Sequence, residues 1–294
     1  MLNYIEPVFR PPSEWKSLIL QVTNGCSWNR CRFCEMYTSP QKRFTFKSLQ
    51  AFERDLQMAR QQYAHVPRIF LADGDAMALS VRRLKERLIL IRKYFPEVQR
   101  ISSYCLPRNL RRKRIEELAE LRALGLRLVY VGVESGDDEV LRMVDKGETY
   151  LSHRDALLKL HSAGITTSVM ILNGLGGRKY WQQHARHSAW LLNETQPKYV
   201  STLVVSFPFG TARLQEGFAG QFEMPSLPEL LQELRLFLSE LTLENSLFRS
   251  DHASNYLVLK GTLPRDKDRL LATIDQALTA PDTVPLRAEW ERGL

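Results

Sequence analysis

The segment Gly25-Cys26-Ser27-Trp28-Asn29-Arg30-Cys31-Arg32-Phe33-Cys34 holds three of the chain's four cysteines in a C-x4-C-x2-C run. It follows an apolar, strand-like stretch, residues 17–22. Three thiols this close cannot all pair as disulfides. They can instead grip three irons of a [4Fe–4S] cube and leave the fourth iron open. A structural zinc ion would need a fourth ligand, and no second C-x2-C or neighbouring histidine pair supplies one. An open iron is a place to bind and reduce a ligand, so the run points to chemistry rather than to a staple.

Outward from that run, short apolar stretches alternate with longer amphipathic ones. Strands are predicted over residues 17–22, 68–72, 100–104, 126–134, 166–173 and 199–206. Helices are predicted over 48–63, 80–94, 115–124, 139–144, 152–163 and 181–194. Strand and helix repeated six times predict parallel strands with right-handed crossovers. The expected class is α/β, a partial (β/α)6 TIM-like barrel with a mainly helical C-terminal extension. Residues 1–15 read as an N-terminal arm, 16–212 as the core, and 213–294 as an extension that serves as a lid or substrate-binding region. In such folds the site gathers at the C-terminal ends of the strands. There the sequence places the cysteine run, Asp73-Gly74-Asp75, Tyr104-Cys105, Glu134-Ser135-Gly136, Asn173-Gly174-Leu175-Gly176-Gly177 and Ser206-Phe207-Pro208.

Composition sets the outer bounds. The hydrophobic fraction is 44% and the charged fraction 25%, ordinary for a globular protein. No run of about 18 apolar residues is present, so no membrane-spanning helix is expected. The N-terminus lacks the pattern of a signal peptide. Four cysteines in a leaderless chain point to a reducing cytoplasm. The net charge of +8 admits an anionic partner or nucleic acid. Its densest run, Arg108, Arg111, Arg112, Lys113 and Arg114, reads equally as a solvated helix face.

With these residues in view, the chain resembles the radical S-adenosylmethionine (SAM) enzymes, in particular the branch of oxygen-independent coproporphyrinogen oxidase and its relatives. The likeness covers residues 16–212. It rests on the cysteine run, on Phe33 just before the last cysteine, and on Val131-Gly132-Val133-Glu134-Ser135-Gly136-Asp137-Asp138-Glu139-Val140-Leu141. The usual spacing in the superfamily is C-x3-C-x2-C, and here one extra residue separates Cys26 from Cys31. Gly25 and Asn29 offer the backbone freedom to absorb it.

The resemblance implies that Cys26, Cys31 and Cys34 bind a [4Fe–4S] cluster whose open iron takes SAM. One electron would then split SAM to methionine and a 5′-deoxyadenosyl radical that abstracts hydrogen from a substrate. It implies a reducing partner such as flavodoxin or ferredoxin. It further implies that Asp73, Gly74 and Asp75 receive the methionyl amino group, and that Glu134, with its neighbour Ser135, contacts the ligand. Lys146 would reach the SAM carboxylate, Ser102 or Tyr104 the ribose, and Phe33 the adenine edge. The glycine run at 174–177 would pack under adenine.

On the substrate side the candidates are Cys105, Arg108, Asn109, Asn173, Arg213, Arg249, His252 and Asn255, with Cys105 and His252 the catalytic ones. Cys105 reads equally as a small buried hydrophobe, and His252 as a turn-capping residue. With a single cysteine outside the motif, neither a second cluster nor paired-cysteine methylation chemistry is expected. With a first strand near residue 17, no N-terminal cobalamin domain is expected. Two further readings stay open: a cluster protein that carries electrons or senses without catalysis, and an enzyme that modifies tRNA or another nucleic acid, whose binding would weaken steeply with salt.

Overall fold

A computed structural model describes residues 2–293. Ten strands are present among them: β1 (Leu18–Gln21), β2 (Thr23–Asn24), β3 (Thr45–Phe46), β4 (Arg68–Ala72), β5 (Arg100–Tyr104), β6 (Leu126–Glu134), β7 (Thr166–Asn173), β8 (Tyr199–Val204), β9 (Ser246–Ser250) and β10 (Leu259–Leu263). The helices are α1 (Leu49–Gln62), α2 (Val81–Tyr94), α3 (Ile115–Ala123), α4 (Asp138–Met143), α5 (Tyr150–Ser162), α6 (Gly177–Thr195), α7 (Ala212–Gly217), α8 (Leu227–Glu240) and α9 (Lys267–Thr279). The principal sheet runs β1-β4-β5-β6-β7-β8-β9-β10, and β2 pairs with β3 in a separate two-stranded ribbon.

The pairs β1–β4, β4–β5, β5–β6, β7–β8 and β8–β9 are parallel, and β9–β10 is antiparallel. Parallel strands are covered on both faces, which demands unbroken apolar runs. Ile69, Phe70, Leu71 and Ala72 of β4 accordingly have no exposed surface. The serines before α1 and α2 turn the chain into each helix: Ser48 accepts from the Ala51 N–H at 3.2 Å and Ser80 from the Arg83 N–H at 3.4 Å.

The six β/α repeats predicted from periodicity are present, with ends shifted by a few residues at most. The C-terminal part is richer in strand than its sequence predicts. Residues 246–250 lie inside a stretch with few apolar side chains, yet they pair in parallel with β8 and bury Phe248 completely. Tertiary pairing outweighs local composition there.

Contacts divide the chain into two compact units. The first comprises Met1–Asn29, Cys34–Val131 and Ala156–Thr167; the second comprises Arg30–Phe33, Gly132–Asp155 and Ser168–Leu294. At the heart of the first lies Glu14, fully buried. It accepts from Ser102 Oγ at 2.9 Å, Tyr130 Oη at 2.6 Å and Arg100 at 2.9 Å, and from Ser17. In the second, Val140, Met143, Val144, Leu172, Leu175, Val205, Leu214, Phe218 and Phe222 form one apolar cluster.

If β9 is a core strand, Phe248→Ala costs about 3–5 kcal/mol of stability. Phe209→Ala, at a side chain 79% exposed, changes it by less than about 0.5 kcal/mol. Denaturant unfolding of the two variants measures both.

Candidate active site

The cysteine run leaves β2 through Gly25. That residue has φ +71°, and a Cβ there would run into the Lys42 carbonyl, so the turn admits only glycine. Asn29 also takes a left-handed conformation, φ +45°. Asparagine tolerates that region better than most residues. The extra residue of the C-x4-C half is thus absorbed between two positions able to reverse the chain. None of the four cysteines is in a disulfide; Cys26, Cys31 and Cys34 are half-buried and Cys105 is buried.

In the first unit the turn after β4 is built around Asp73. This carboxylate has no exposed surface. It forms an ion pair with Lys42, itself fully buried. Its Oδ1 accepts from the Tyr37 hydroxyl and from the Gly74 N–H, both at 2.9 Å. Lys42 donates also to the Ile5 carbonyl at 2.9 Å. Tyr37 stands three residues beyond Cys34, so Asp73 ties the chain leaving the cysteine run to the turn. Burial, with Asp73 alongside, pushes the Tyr37 phenol far above its ordinary range, so it is a fixed donor. Gly74, φ +45°, lies so close to the Gly25 carbonyl that a Cβ would collide with it.

Asp75 joins the same two segments. Its Oδ2 accepts from Ser27, inside the cysteine run, and from Asn109 at 3.4 Å. Its buried Oδ1 has no partner. Burial raises its pKa, against the pull of Ser27 and Asn109. Arg108 lies 3.8 Å over the Trp28 ring, on the cysteine loop. Of the basic run only part is a solvated face: Lys113 is buried and donates to the Met77 and Asn109 carbonyls at 2.9 and 2.7 Å. Tyr104 packs edge-on against Phe70, and burial raises its pKa beyond any physiological range.

In the second unit the backbone around Cys31 is held from two sides. Arg213 donates to the Cys31 carbonyl at 2.9 Å, and the Arg32 N–H donates to the Val144 carbonyl at 2.8 Å. Glu134, at the end of β6, has φ +67°. For a glutamate this is an unfavourable backbone state of the kind concentrated at functional sites. One oxygen of Glu134 meets Lys146 Nζ at 3.2 Å, and the other is buried without a partner. Lys146 is 5% exposed and lies 5.7 Å from the Phe33 ring centre. Phe33, Glu134 and Lys146 therefore do come together. Behind them His153 is fully buried, its Nδ1 3.0 Å from the Thr149 carbonyl. Burial, assisted by Lys146, lowers its pKa to about 3.

Other candidates are engaged elsewhere. Ser102, read as a ribose ligand, spends its hydroxyl on Glu14 and the Ile69 carbonyl. Ser135 pairs with His184 at 2.8 Å. His252 is held within its own turn by Ser254, at 2.9 Å, and burial lowers its pKa. Arg249 donates to the carbonyl of its neighbour Phe248 at 3.0 Å, and Asn255 links the Val204 N–H and the Thr202 carbonyl, both at 2.8 Å. Cys105 Sγ is 3.5 Å from the Leu106 carbonyl. Sequence reasoning missed Tyr37 and Lys42, which carry no motif, and Ser27, a spacer within the cysteine run. It also missed Glu233 of α8, detectable as the one acid among Leu230, Leu231, Leu234 and Phe237.

Residues 20–185 match the model of the Radical SAM superfamily. The chain belongs to that superfamily, enzymes that pair a [4Fe–4S] cluster with SAM. The fold is similar to that of coproporphyrinogen III oxidase from Escherichia coli (21% identity, TM-score 0.59, covering 76% of this chain and 52% of that one). It is similar also to a radical SAM methyltransferase from Kitasatospora setae (20%, TM-score 0.52, 71% and 41%) and to methylornithine synthase (16%, TM-score 0.51, 77% and 63%). The chain thus spans about half the length of the first of these. No curated protein sequence matches it. No helix among the described residues is long and apolar enough to cross a membrane.

The residues fit the group this family binds. Among the described residues no three His, Cys, Asp or Glu side chains converge to hold a single metal ion. Thiolates that each take a different iron of a cube need not meet at a point. Among the described residues, one buried carboxylate oxygen of Asp75 in the first unit and one of Glu134 in the second lack partners, and a buried acceptor without a donor costs about 1–3 kcal/mol. An ammonium donor suits the first, and a hydroxyl donor the second.

The pH dependence of stability follows from His153. Its folded pKa lies below the unfolded value near 6.5, so its contribution is full above about pH 6.5 and is lost as pH falls toward 3. His153→Gln should flatten the acid limb of stability by about 3 kcal/mol between pH 6.5 and 4, measured by urea unfolding across that range.

Proposed function

We propose that this chain cleaves SAM reductively and uses the resulting radical to take a hydrogen atom from a small-molecule substrate. The observation that carries the reading is the joining of the cysteine run to the turn after β4 through Asp73 and Asp75, with a buried acceptor left over on Asp75. When bound, the cluster and SAM together supply one-electron cleavage of the sulfonium to methionine and a 5′-deoxyadenosyl radical. Cys26, Cys31 and Cys34 would hold three irons. Gly74 and Asp75 would accept the methionyl ammonium by backbone carbonyl and carboxyl. Lys146, desolvated beside Glu134, would meet the SAM carboxylate, where a point charge in a low-dielectric setting counts most. Glu134 would receive a ligand hydroxyl on its second oxygen, and Phe33 would lean on the adenine edge.

Asp73 has a different part in this scheme. Its lone pairs are committed to Lys42, Tyr37 and Gly74, so it shapes the turn and does not touch the ligand. Residues 16–212 would carry the chemistry. The substrate of the bacterial oxidase is not carried over, since the likeness covers 52% of that chain. A reducing compartment, the cytoplasm, suits four thiols and an oxygen-sensitive cluster, and an electron donor of the flavodoxin or ferredoxin kind is required by the chemistry.

Anaerobic reconstitution with iron and sulfide, reduction by dithionite and addition of SAM should release 5′-deoxyadenosine, quantified by chromatography. Cys31→Ala should abolish it. Lys146→Met should weaken SAM binding roughly tenfold or more, as expected when a charged hydrogen-bond partner is lost. Cluster assembly with no cleavage in the wild type, with or without candidate substrates, would overturn the reading in favour of an electron carrier.

A further inference from the structure

Helix α8 presents one acid on its apolar face. Glu233 falls among Leu230, Leu231, Leu234 and Phe237 and is 2% exposed. Its Oε1 accepts from the Gly174 N–H and from Asn173 Nδ2, both at 2.7 Å. Asn173 is the last residue of β7, and Gly174 opens the run Gly174-Leu175-Gly176-Gly177. The Asn173 amide also donates to the Leu230 carbonyl at 3.3 Å. Oε2 of Glu233 is buried without a partner.

Among the described residues no lysine or arginine pairs with this acid. The titratable group facing it is His184 of α6, whose Nε2 is 3.5 Å from Oε1 and 3.1 Å from the Leu172 carbonyl. Burial lowers the His184 pKa to about 4, so the ring is neutral. The other charges on the packed elements are engaged at the surface: Arg178 with Glu223 and Glu229, Arg186 with Glu240, and Arg235 with Asp275. Lys267 of α9 donates to the Ser239 and Leu241 carbonyls. A glutamine would offer the same acceptor without the desolvation of a carboxylate. What the acid adds is charge-assisted hydrogen bonding to the strand end when ionised.

We propose that Glu233 is a positioning residue for the SAM pocket: from the C-terminal extension it fixes the backbone at the end of β7, on which the glycine run 174–177 lies beneath adenine. This rests on the reading of that run as the adenine side of the pocket, given above as the family likeness. It makes this part of the extension a brace for the cofactor rather than a lid. Desolvation raises the Glu233 pKa to about 7, against the two donors. The hold on Gly174 therefore tightens as pH rises through 7. Stability runs the other way: a carboxyl whose folded pKa exceeds its unfolded one contributes fully below about pH 4.5 and loses that contribution as pH rises through 7. The strand end is thus held best where this residue favours the fold least.

The full chain and its Glu233→Gln variant test this. Amide hydrogen exchange of the 172–177 segment, corrected for intrinsic rates, is measured from pH 6 to 8 without any cofactor. SAM affinity is measured over the same range with reconstituted protein. In the wild type, protection should rise about five- to tenfold across pH 7, and SAM affinity relative to the variant should rise in parallel. The variant should be flat in protection, at the wild-type level of pH 6, with thermal unfolding showing that it is folded. If SAM binds but neither protection nor relative affinity differs between the two proteins, the Glu233 role falls alone. If the segment behaves as expected but the wild type takes up no SAM, the pocket reading falls and the positioning role falls with it.

Discussion

The ion pair between Lys42 and Asp73, both without exposed surface, is the constraint on which the site depends. Burying two charges costs several kcal/mol apiece, offset only when further hydrogen bonds complete the geometry. Here Tyr37, Gly74 and the Ile5 carbonyl supply them. A well-packed apolar pair would serve stability as well or better. What the ionic knot provides is directional: it fixes the segment after the cysteines, the arm before β1 and the turn after β4 in one arrangement. Asp75 repeats the device with Ser27, but one of its oxygens is left without a partner.

The division between shaping and binding recurs at the other strand ends. Ser102 and Ser135 are absorbed into the buried networks of Glu14 and His184, whereas Glu134 keeps an oxygen without a partner and an unfavourable backbone conformation. Arg213, which from sequence reads as a substrate contact, holds the Cys31 carbonyl. Polar residues near the strand ends are thus mostly employed in holding backbone.

Much of the fold was legible because parallel strands leave a plain trace. Runs such as Ile69–Ala72 are apolar on both faces, and two of the helices between them, α1 and α2, carry an apolar stripe with a serine cap. β9 was hidden because Ser246, Arg249 and Ser250 dilute its apolar content, and only pairing with β8 makes it a strand. At the site, the cysteines and the Glu134 segment announce themselves by spacing. Lys42 and Tyr37 do not, since a lysine beside an arginine reads as surface and a tyrosine as core. Their role exists only once the chain has folded back on Asp73. Glu233 was legible in principle, as an acid on an apolar helix face, but its partners at Asn173 and Gly174 lie about sixty residues away in sequence.

The central claim is that the cysteine run leaves one iron of its cluster open to SAM. The most direct measurement is the electron paramagnetic resonance spectrum of the reduced, reconstituted protein with and without SAM. The account predicts a [4Fe–4S] signal whose g-values shift when SAM is added, and which cannot be formed in Cys31→Ala. A signal unchanged by saturating SAM would mean that the fourth iron is closed, and would contradict it.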